Sequence, residues 1–417
     1  MVFTDRTRRA AAVRASRPRP ARTIVTAFGL AIVCGAVLLM LPIAKVGRGG
    51  ATFLEALFTA TSAVCVTGHV VVDTASYWTP FGQGVILALI QVGGLGIMTF
   101  ASLIGLAVLR KISLRSRLTT VAETHSFGMD DVPGLLGRVV IITLVIESTV
   151  AAVLFFRFTL GYDEPIGRAA WLAIFHSVSA FNNAGFSLFS DNLVGFALDP
   201  LICLPIAAAI ILGGIGFPVI MQLRTHLSRV LKWTMNTRIV LAGTITLLIA
   251  GTIYITAIEW SNPATLGPME WPQKLLAGFF TSVQTRTAGF NSINIGAMDP
   301  ASWIGMDALM LIGGGPAGTA GGIKITTFAV LLFILLAELR GHAAVNVFGK
   351  RLPRSVHREA ITVVLLAVAV IATATVALML LTDVTLDKLL FEVVSALARW
   401  GFRRESRPIC HPQAKSS

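Results

Sequence analysis

Charge is what this chain has least of. Only 13% of its 417 residues are Asp, Glu, Lys or Arg, against 55% hydrophobic, and mean hydropathy is +0.78. A soluble domain carries about 25% charged residues, so the composition is that of an integral membrane protein. Acidic residues are the scarcer sign, 21 against 34 basic ones, for a net charge of +13. In a soluble protein that balance would suggest nucleic acid; here it belongs to cytosolic loops, and no nucleic-acid partner is expected. The four cysteines (Cys34, Cys65, Cys203, Cys410) have no paired spacing, which argues against a disulfide framework or a zinc site. The histidines are scattered without a metal-ligand pattern. No nucleophile–base pair stands out, so the chain does not read as an enzyme.

What the chain does have is repetition. A phenylalanine stands ten residues before a glycine four times: Phe58 and Gly68, Phe175 and Gly185, Phe279 and Gly289, Phe391 and Gly401. A period of about 104 to 117 residues marks an internal repeat. Each unit reads as a spanning helix, a short re-entrant helix with its loop, and a second spanning helix. The predicted spans are Thr23–Ile43 and Gly82–Leu109, Leu135–Phe156 and Leu201–Leu223, Ile239–Ile258 and Ile304–Leu339, then Ala360–Leu381 alone. The predicted short helices are Phe53–Ser62, Ala169–Ala180, Gln273–Val283 and Leu386–Leu397, about half the roughly 20 residues that a crossing needs. One such segment alone could lie on the membrane surface; four at one place in four repeats favour pore helices. The fold class is therefore an all-α membrane protein, a fourfold repeat of helix, pore helix with loop, and helix around a central pore, with the last repeat incomplete.

The corresponding segments are a basic arm (1–22), repeat 1 (23–109), a linker (110–134), repeat 2 (135–223), a linker (224–238), repeat 3 (239–339), a linker (340–359), a truncated repeat 4 (360–398) and an aberrant tail (399–417). The arm runs straight into an apolar span and reads as cytosolic rather than as a cleaved signal. Basic clusters follow repeats 1 to 3: Arg110, Lys111, Arg115 and Arg117; Arg224, Arg229, Lys232 and Arg238; Arg340, Lys350, Arg351, Arg354 and Arg358. The opposite loops hold Asp73, Asp163, Glu164, Asp191, Asp199, Glu259, Glu270 and Asp299. The positive-inside bias then places the amino terminus in the cytosol and the re-entrant loops outside.

A dehydrated monovalent cation needs oxygen ligands, which backbone carbonyls supply without a fixed charge. Turning successive carbonyls to one axis needs backbone angles that glycine adopts at little cost. The candidate filter residues are Val64, Cys65, Val66, Thr67 and Gly68; Asn182, Asn183, Ala184 and Gly185; Thr287, Ala288 and Gly289; and Gly401. A second feature lies inside the last span of repeat 3: Gly313, Gly314, Gly315, Pro316, Ala317, Gly318, Thr319, Ala320, Gly321 and Gly322, with Lys324 beside them. Glycine and proline disfavour helix interiors by roughly 1 and 3 kcal/mol, so this span is predicted to break. A P-loop is excluded because the Gly-Lys-Ser/Thr ending is absent. Close helix packing through small residues is the alternative. Glu147 is an acid inside an apolar helix; it is expected to face a polar interior, where a basic group is one candidate partner, and helix packing and a pore role are equal alternatives for it, with Gln91 and Asp307 as weaker cases.

Four stretches carry a family resemblance: Thr59–Gly68, Ser179–Phe186, Thr281–Asn291 and Gly313–Lys324. Over about residues 22–398 the chain resembles the Trk/Ktr/HKT superfamily of potassium transporters, and most closely the membrane subunit of bacterial Ktr systems. The resemblance implies four pore units, one filter glycine each, carried over to Gly68, Gly185 and Gly289, and an intramembrane gate at the glycine-rich run. It also implies K+ as cargo with Na+ as a second candidate, a homodimer in the bacterial cytoplasmic membrane, and regulation by a cytosolic RCK/KTN-type ring that binds the nucleotide. An unrelated secondary cation transporter would instead carry inverted repeats, and a membrane enzyme would cluster its intramembrane ionisable residues. A truncated, non-conducting member is the third alternative.

The fourth loop departs from the pattern, running Arg399-Trp-Gly-Phe-Arg-Arg-Glu. Arginines are misplaced at a cation filter, since unit charges 4 Å apart repel by about 4 kcal/mol at an effective dielectric of 20. A one-base frame shift near Ala398 permits Thr-Val-Gly-Leu-Ser-Thr-Gly-Ile instead, which looks like the family's fourth filter loop; only its first glycine is forced. A natural shift and a sequencing error both remain open. The coding DNA past Ala398 is expected to encode a further apolar helix in the neighbouring frame, and sequencing it checks this; no such helix there would refute the shift.

Overall fold

In lipid a backbone must satisfy its own polar groups, and helices do so within one segment. The computed structural model describes residues 20–116, 132–341, 345–347 and 350–398, and these are nearly all helical. The segments predicted as repeats serve as labels for the elements: the first holds α1 (Pro20–Met40), the short α2 (Phe53–Val64) and α3 (Pro80–Ser116). Repeat 2 comprises α4 (Val132–Gly161), the short α5 (Ile166–Phe181), α6 (Pro200–Ile215) and α7 (Phe217–His226). Repeat 3 comprises α8 (Met235–Glu259), the short α9 (Trp271–Gln284), α10 (Pro300–Leu311) and α11 (Ile325–Leu339). Then come a two-residue hairpin, β1 (Asn346–Val347) paired antiparallel with β2 (Lys350–Arg351), and α12 (Arg354–Leu381) with the short α13 (Leu386–Ala398).

Among the described residues four helical stretches are long and apolar enough to cross a bilayer, at 80–100, 136–161, 235–259 and 354–381. α6 and α7 together make a fifth, bent by 101°. That bend corrects the continuous span predicted over Leu201–Leu223. Gly216 sits at the corner with φ +92, and Pro218 follows in the first turn of α7. Glycine just past a helix end with proline shortly beyond is a stop signal that the apolar run concealed. The predicted break in repeat 3 lies between α10 and α11.

Local sequence explains where the elements start. Three second helices open on a polar residue followed by proline: Thr79-Pro80, Asp199-Pro200 and Asp299-Pro300. Asp199 accepts from the Leu201 amide at 2.9 Å and Asp299 from the Ala301 amide at 2.8 Å, while the proline occupies a position whose N–H would be unpaired. α2 opens on a capping box, with Thr52 and Glu55 each accepting from the other's amide, at 3.4 and 2.9 Å.

The short helices pack inward. α5 touches α4, α6 and the preceding α3; α9 touches α8 and the preceding α6; α13 touches α12 and the preceding α10. The buried face of α2 is mostly small residues, such as Ala56, Ala60, Ser62 and Ala63, whereas α5 and α9 also bury Phe175, Phe181 and Phe280. The long helices turn bulky side chains outward instead. α12 exposes Val363, Leu365, Leu366, Val368 and Leu380. An exposed apolar face of that size belongs in lipid, and the chain is a multi-pass membrane protein.

Repeat 3 is tied at one end by a carboxylate. Glu259 is fully buried; its Oε1 accepts from the Asp299 amide at 2.9 Å and Ser302 Oγ at 2.5 Å. Its Oε2 accepts from Asn262 Nδ2 at 2.7 Å and Thr265 Oγ1 at 2.6 Å. Four donors satisfy one charge, so removing it strands several buried donors at once. Glu259→Ala is expected to destabilise the protein by on the order of 3 kcal/mol, read as a lowered melting temperature in detergent; an unchanged melt would contradict the account.

Candidate functional site

The site is built where three short helices end. Each runs into a loop with the same backbone signature, a non-glycine residue at positive φ followed two residues later by a glycine at positive φ. The pairs are Val66 (55°) with Gly68 (73°), Asn183 (56°) with Gly185 (70°), and Thr287 (77°) with Gly289 (77°). The first two are Schellman closures. Thr67 N donates to Ser62 O at 2.9 Å and Val66 N to Ala63 O at 3.2 Å; Ala184 N donates to Ser179 O at 2.8 Å and Asn183 N to Ala180 O at 3.0 Å. The third is looser, with Ala288 N donating to Gln284 O at 2.9 Å. Such closures normally use glycine at the left-handed position. Val66 and Thr287 are β-branched there, a strain of order 1–3 kcal/mol that persists only where surroundings over-determine it.

Those surroundings are backbone packed against backbone. A Cβ on Gly93 of α3 would collide with the Val64 carbonyl, and one on Gly213 of α6 with the Phe181 carbonyl. A Cβ on Gly185 would lie 2.7 Å from Ala288 O and 3.1 Å from Gly289 Cα, so the second and third loops meet at their glycines. Asn192 Nδ2 also donates to Gly289 O at 3.1 Å. The sequence held a signal for this packing. A glycine pair follows each loop glycine, at Gly93-Gly94, Gly213-Gly214 and Gly313-Gly314.

Glu147 in α4 is buried and meets amides rather than a basic group. Its Oε2 accepts from Gln91 Nε2 at 3.1 Å and its Oε1 from Asn182 Nδ2 at 3.2 Å. Asn182 Nδ2 also donates to Gln91 Oε1 at 2.9 Å, and Ser177 Oγ to the Glu147 carbonyl at 2.5 Å. The acid thus braces the residue that begins the second loop. Cys65 and Arg286 occupy the corresponding place, three residues before Gly68 and Gly289. Asp307 has a buried Oδ1 without a hydrogen-bond partner and joins no cluster among the described residues.

The glycine-rich run forms a closed loop inside the protein. Its neck is a bridge between Ile312 and Ile323, with Gly313 N donating to Ile323 O at 2.9 Å and Ile323 N to Leu311 O at 3.0 Å. Residues 313–315 and 317–321 are buried, and Pro316, Gly322 and Lys324 are half-buried. Ala317 (58°) and Gly322 (64°) take positive φ, and Lys324 Nζ donates to Ala320 O at 2.6 Å. This loop fits into the break between α6 and α7. Gly315 N donates to Gly214 O at 2.7 Å, Thr319 N to Gly213 O at 3.1 Å, and Phe217 N to Ala317 O at 3.2 Å. Two interrupted helices therefore satisfy each other's freed groups. The loop also reaches the carboxyl ends of two short helices: Thr319 Oγ1 donates to Phe181 O at 3.1 Å, and Gly321 N to Thr287 Oγ1 at 2.9 Å. Gly401, the fourth candidate glycine, lies outside the described residues.

Loops that follow short apolar helices, and two helix breaks that satisfy each other among several apolar spans, point to a class, the multi-pass transport proteins. Comparison with known proteins narrows it. The family described as TrkH, cation transport protein, matches residues 22–402. Ktr system potassium uptake protein B of Bacillus subtilis is 38% identical over 382 residues, covering 92% of this chain and 85% of that protein. Potassium/sodium uptake protein NtpJ of Enterococcus hirae is 34% identical over 391 residues, covering 92% and 85%. The fold matches the crystal structure of the potassium transporter TrkH from Vibrio parahaemolyticus with a TM-score of 0.71 at 16% identity, covering 93% of this chain and 76% of that one. The chain belongs to the TrkH cation transport protein family.

The glycine contacts separate packing from helix propensity. Gly213→Ala pushes a methyl into the Phe181 carbonyl, whereas a Cβ at Gly137 of α4 has nothing within 4 Å. Gly137→Ala is expected to be neutral or to stabilise by up to about 1 kcal/mol, and Gly213→Ala to destabilise clearly; melting temperatures of the two variants should move in opposite directions or differ by several degrees.

Proposed function

We propose that this chain moves K+ inward across the bacterial cytoplasmic membrane, with Na+ as a second cargo, through an axis ringed by its re-entrant loops. One observation carries the reading: three loops at the carboxyl ends of three short helices repeat one unusual backbone signature, left-handed at two residues two apart. Each left-handed residue turns its peptide planes away from the helical run, which suits aiming carbonyl oxygens at a common point. The carboxyl ends of α2, α5 and α9 add the negative poles of their helix dipoles, which favour a cation. Val64–Gly68, Asn182–Gly185 and Thr287–Gly289 line the filter in this reading, with Gly401 as the fourth member. The potassium uptake named for the relatives from Bacillus subtilis and Enterococcus hirae supports the same cargo.

The loop 313–322 with Lys324 serves as the gate beneath the filter, closed by its bonds to Gly213, Gly214 and Phe217. The chain works as a homodimer with a cytosolic RCK/KTN-type ring that binds the nucleotide and acts on the helices leading to the gate.

The test is uptake by a bacterium deficient in potassium uptake. Deleting Gly314–Gly318 is expected to raise K+ or Rb+ flux, and unchanged flux would argue against a gate. Gly185→Ala forces a side chain onto a residue at φ +70 and towards Ala288 O, and is expected to reduce uptake at least tenfold at unchanged membrane expression. Full uptake by Gly185→Ala would remove the filter assignment.

A further inference from the structure

Arg286 is the residue that the proposed function leaves unexplained. It is 7% exposed, in the turn between α9 and Thr287, at the edge of a filter meant to attract cations. No carboxylate lies within ion-pair distance of it among the described residues. Its guanidinium is held by backbone carbonyls: Nη2 donates to Gly313 O at 3.2 Å and Nη1 to Thr244 O at 3.5 Å, while Nε has no partner. A buried charge held by neutral dipoles alone is costly, so its hold on those carbonyls matters to its own stability. Gly313 is the first residue of the loop inside the bridge that closes its neck. Arg286 therefore joins the third filter loop to the hinge of the intramembrane loop.

The link is not single. Thr287, the next residue, accepts from Gly321 N near the far end of the same loop, and Thr319 Oγ1 donates to Phe181 O at the end of the second short helix. Both ends and the middle of the loop thus hang from the filter helices. A cavity lined by Ile211, Gly214, Thr244, Leu248, Arg286 and Ala320 lies beside the guanidinium.

We infer that Arg286, aided by Thr319, is a positioning residue that couples ion occupancy at the filter loops to closure of the 313–322 loop. The inference rests on reading these loops as filter and gate. An ion that tightens the carbonyl ends near Phe181 and Thr287 tightens the atoms from which the loop hangs. By reciprocity, a displaced loop changes cation affinity at the filter by the same factor.

The experiment is hydrogen–deuterium exchange on the purified full chain in lipid nanodiscs, in potassium chloride and in choline chloride of equal ionic strength. In the unaltered protein, K+ is expected to slow exchange of the 313–322 amides by about tenfold, within the range usual for coupled sites, and also to protect residues 181–186. In Arg286→Gln, the K+ dependence at 313–322 should collapse while that at 181–186 persists; Thr319→Val should shrink it and stands in if Arg286→Gln does not fold. Arg286→Lys keeps the charge and should retain part of it. The inference is overturned if both the Gln and Val variants, or whichever folds, keep full K+ dependence in the loop. It is also overturned if K+ protects 181–186 but never 313–322 in the unaltered protein. Absence of K+ protection at 181–186 would instead remove the filter reading, and this inference with it.

Discussion

No backbone amide or carbonyl can go unpaired at membrane depth without costing several kcal/mol, and the interior of this protein is an answer to that constraint. Helices meet it automatically along most of the chain. Among the described residues the notable exceptions are the loops after α2, α5 and α9 and the two interrupted helices. α6 stops at Ile215 and leaves the Gly213 and Gly214 carbonyls without helical partners; the loop after α10 brings the amides of Thr319 and Gly315 to them. Neither interruption is tolerable alone. They exist as a pair, and the pairing places a non-helical loop directly against the ends of α5 and α9.

Glycine makes the pairing sterically possible. The donors and acceptors come from main chains that approach more closely than any Cβ allows, as at Gly314 over the Gly214 carbonyl and Gly315 over the Ile215 carbonyl. The same density of packing holds Val66 and Thr287 in left-handed conformations that β-branched residues avoid. The strain is local, while the contacts that sustain it come from distant parts of the chain: Gly93 against Val64, and Gly185 against Ala288 and Gly289. That is why a loop of unremarkable length can keep an unusual shape.

The repeats share a backbone and differ in chemistry. Three residues before the loop glycine stand Cys65, Asn182 and Arg286. Asn182 turns to Glu147 and Gln91, on helices of its own and the preceding repeat. Arg286 turns to the Gly313 carbonyl. One loop is braced from behind by a carboxylate with amide partners, and the other is tied to the glycine-rich loop at 313–322. The loops therefore share their left-handed positions but not their closing bonds or their side-chain partners.

The sequence by itself determined the membrane class, the order of long and short helices, the loop glycines and the break after α10, because each rests on local signals. Apolar run length, helix-breaking residues and a repeat spacing are properties of neighbouring residues. The tertiary structure decided the break at Gly216, the amide partners of Glu147 and the reach of Arg286 to Gly313. Glu147 and Asn182 are 35 positions apart and Thr319 and Phe181 are 138 apart. No periodicity links such residues; they meet only because helices and loops distant in the chain, within one repeat or in two, pack together and must satisfy one another's polar groups.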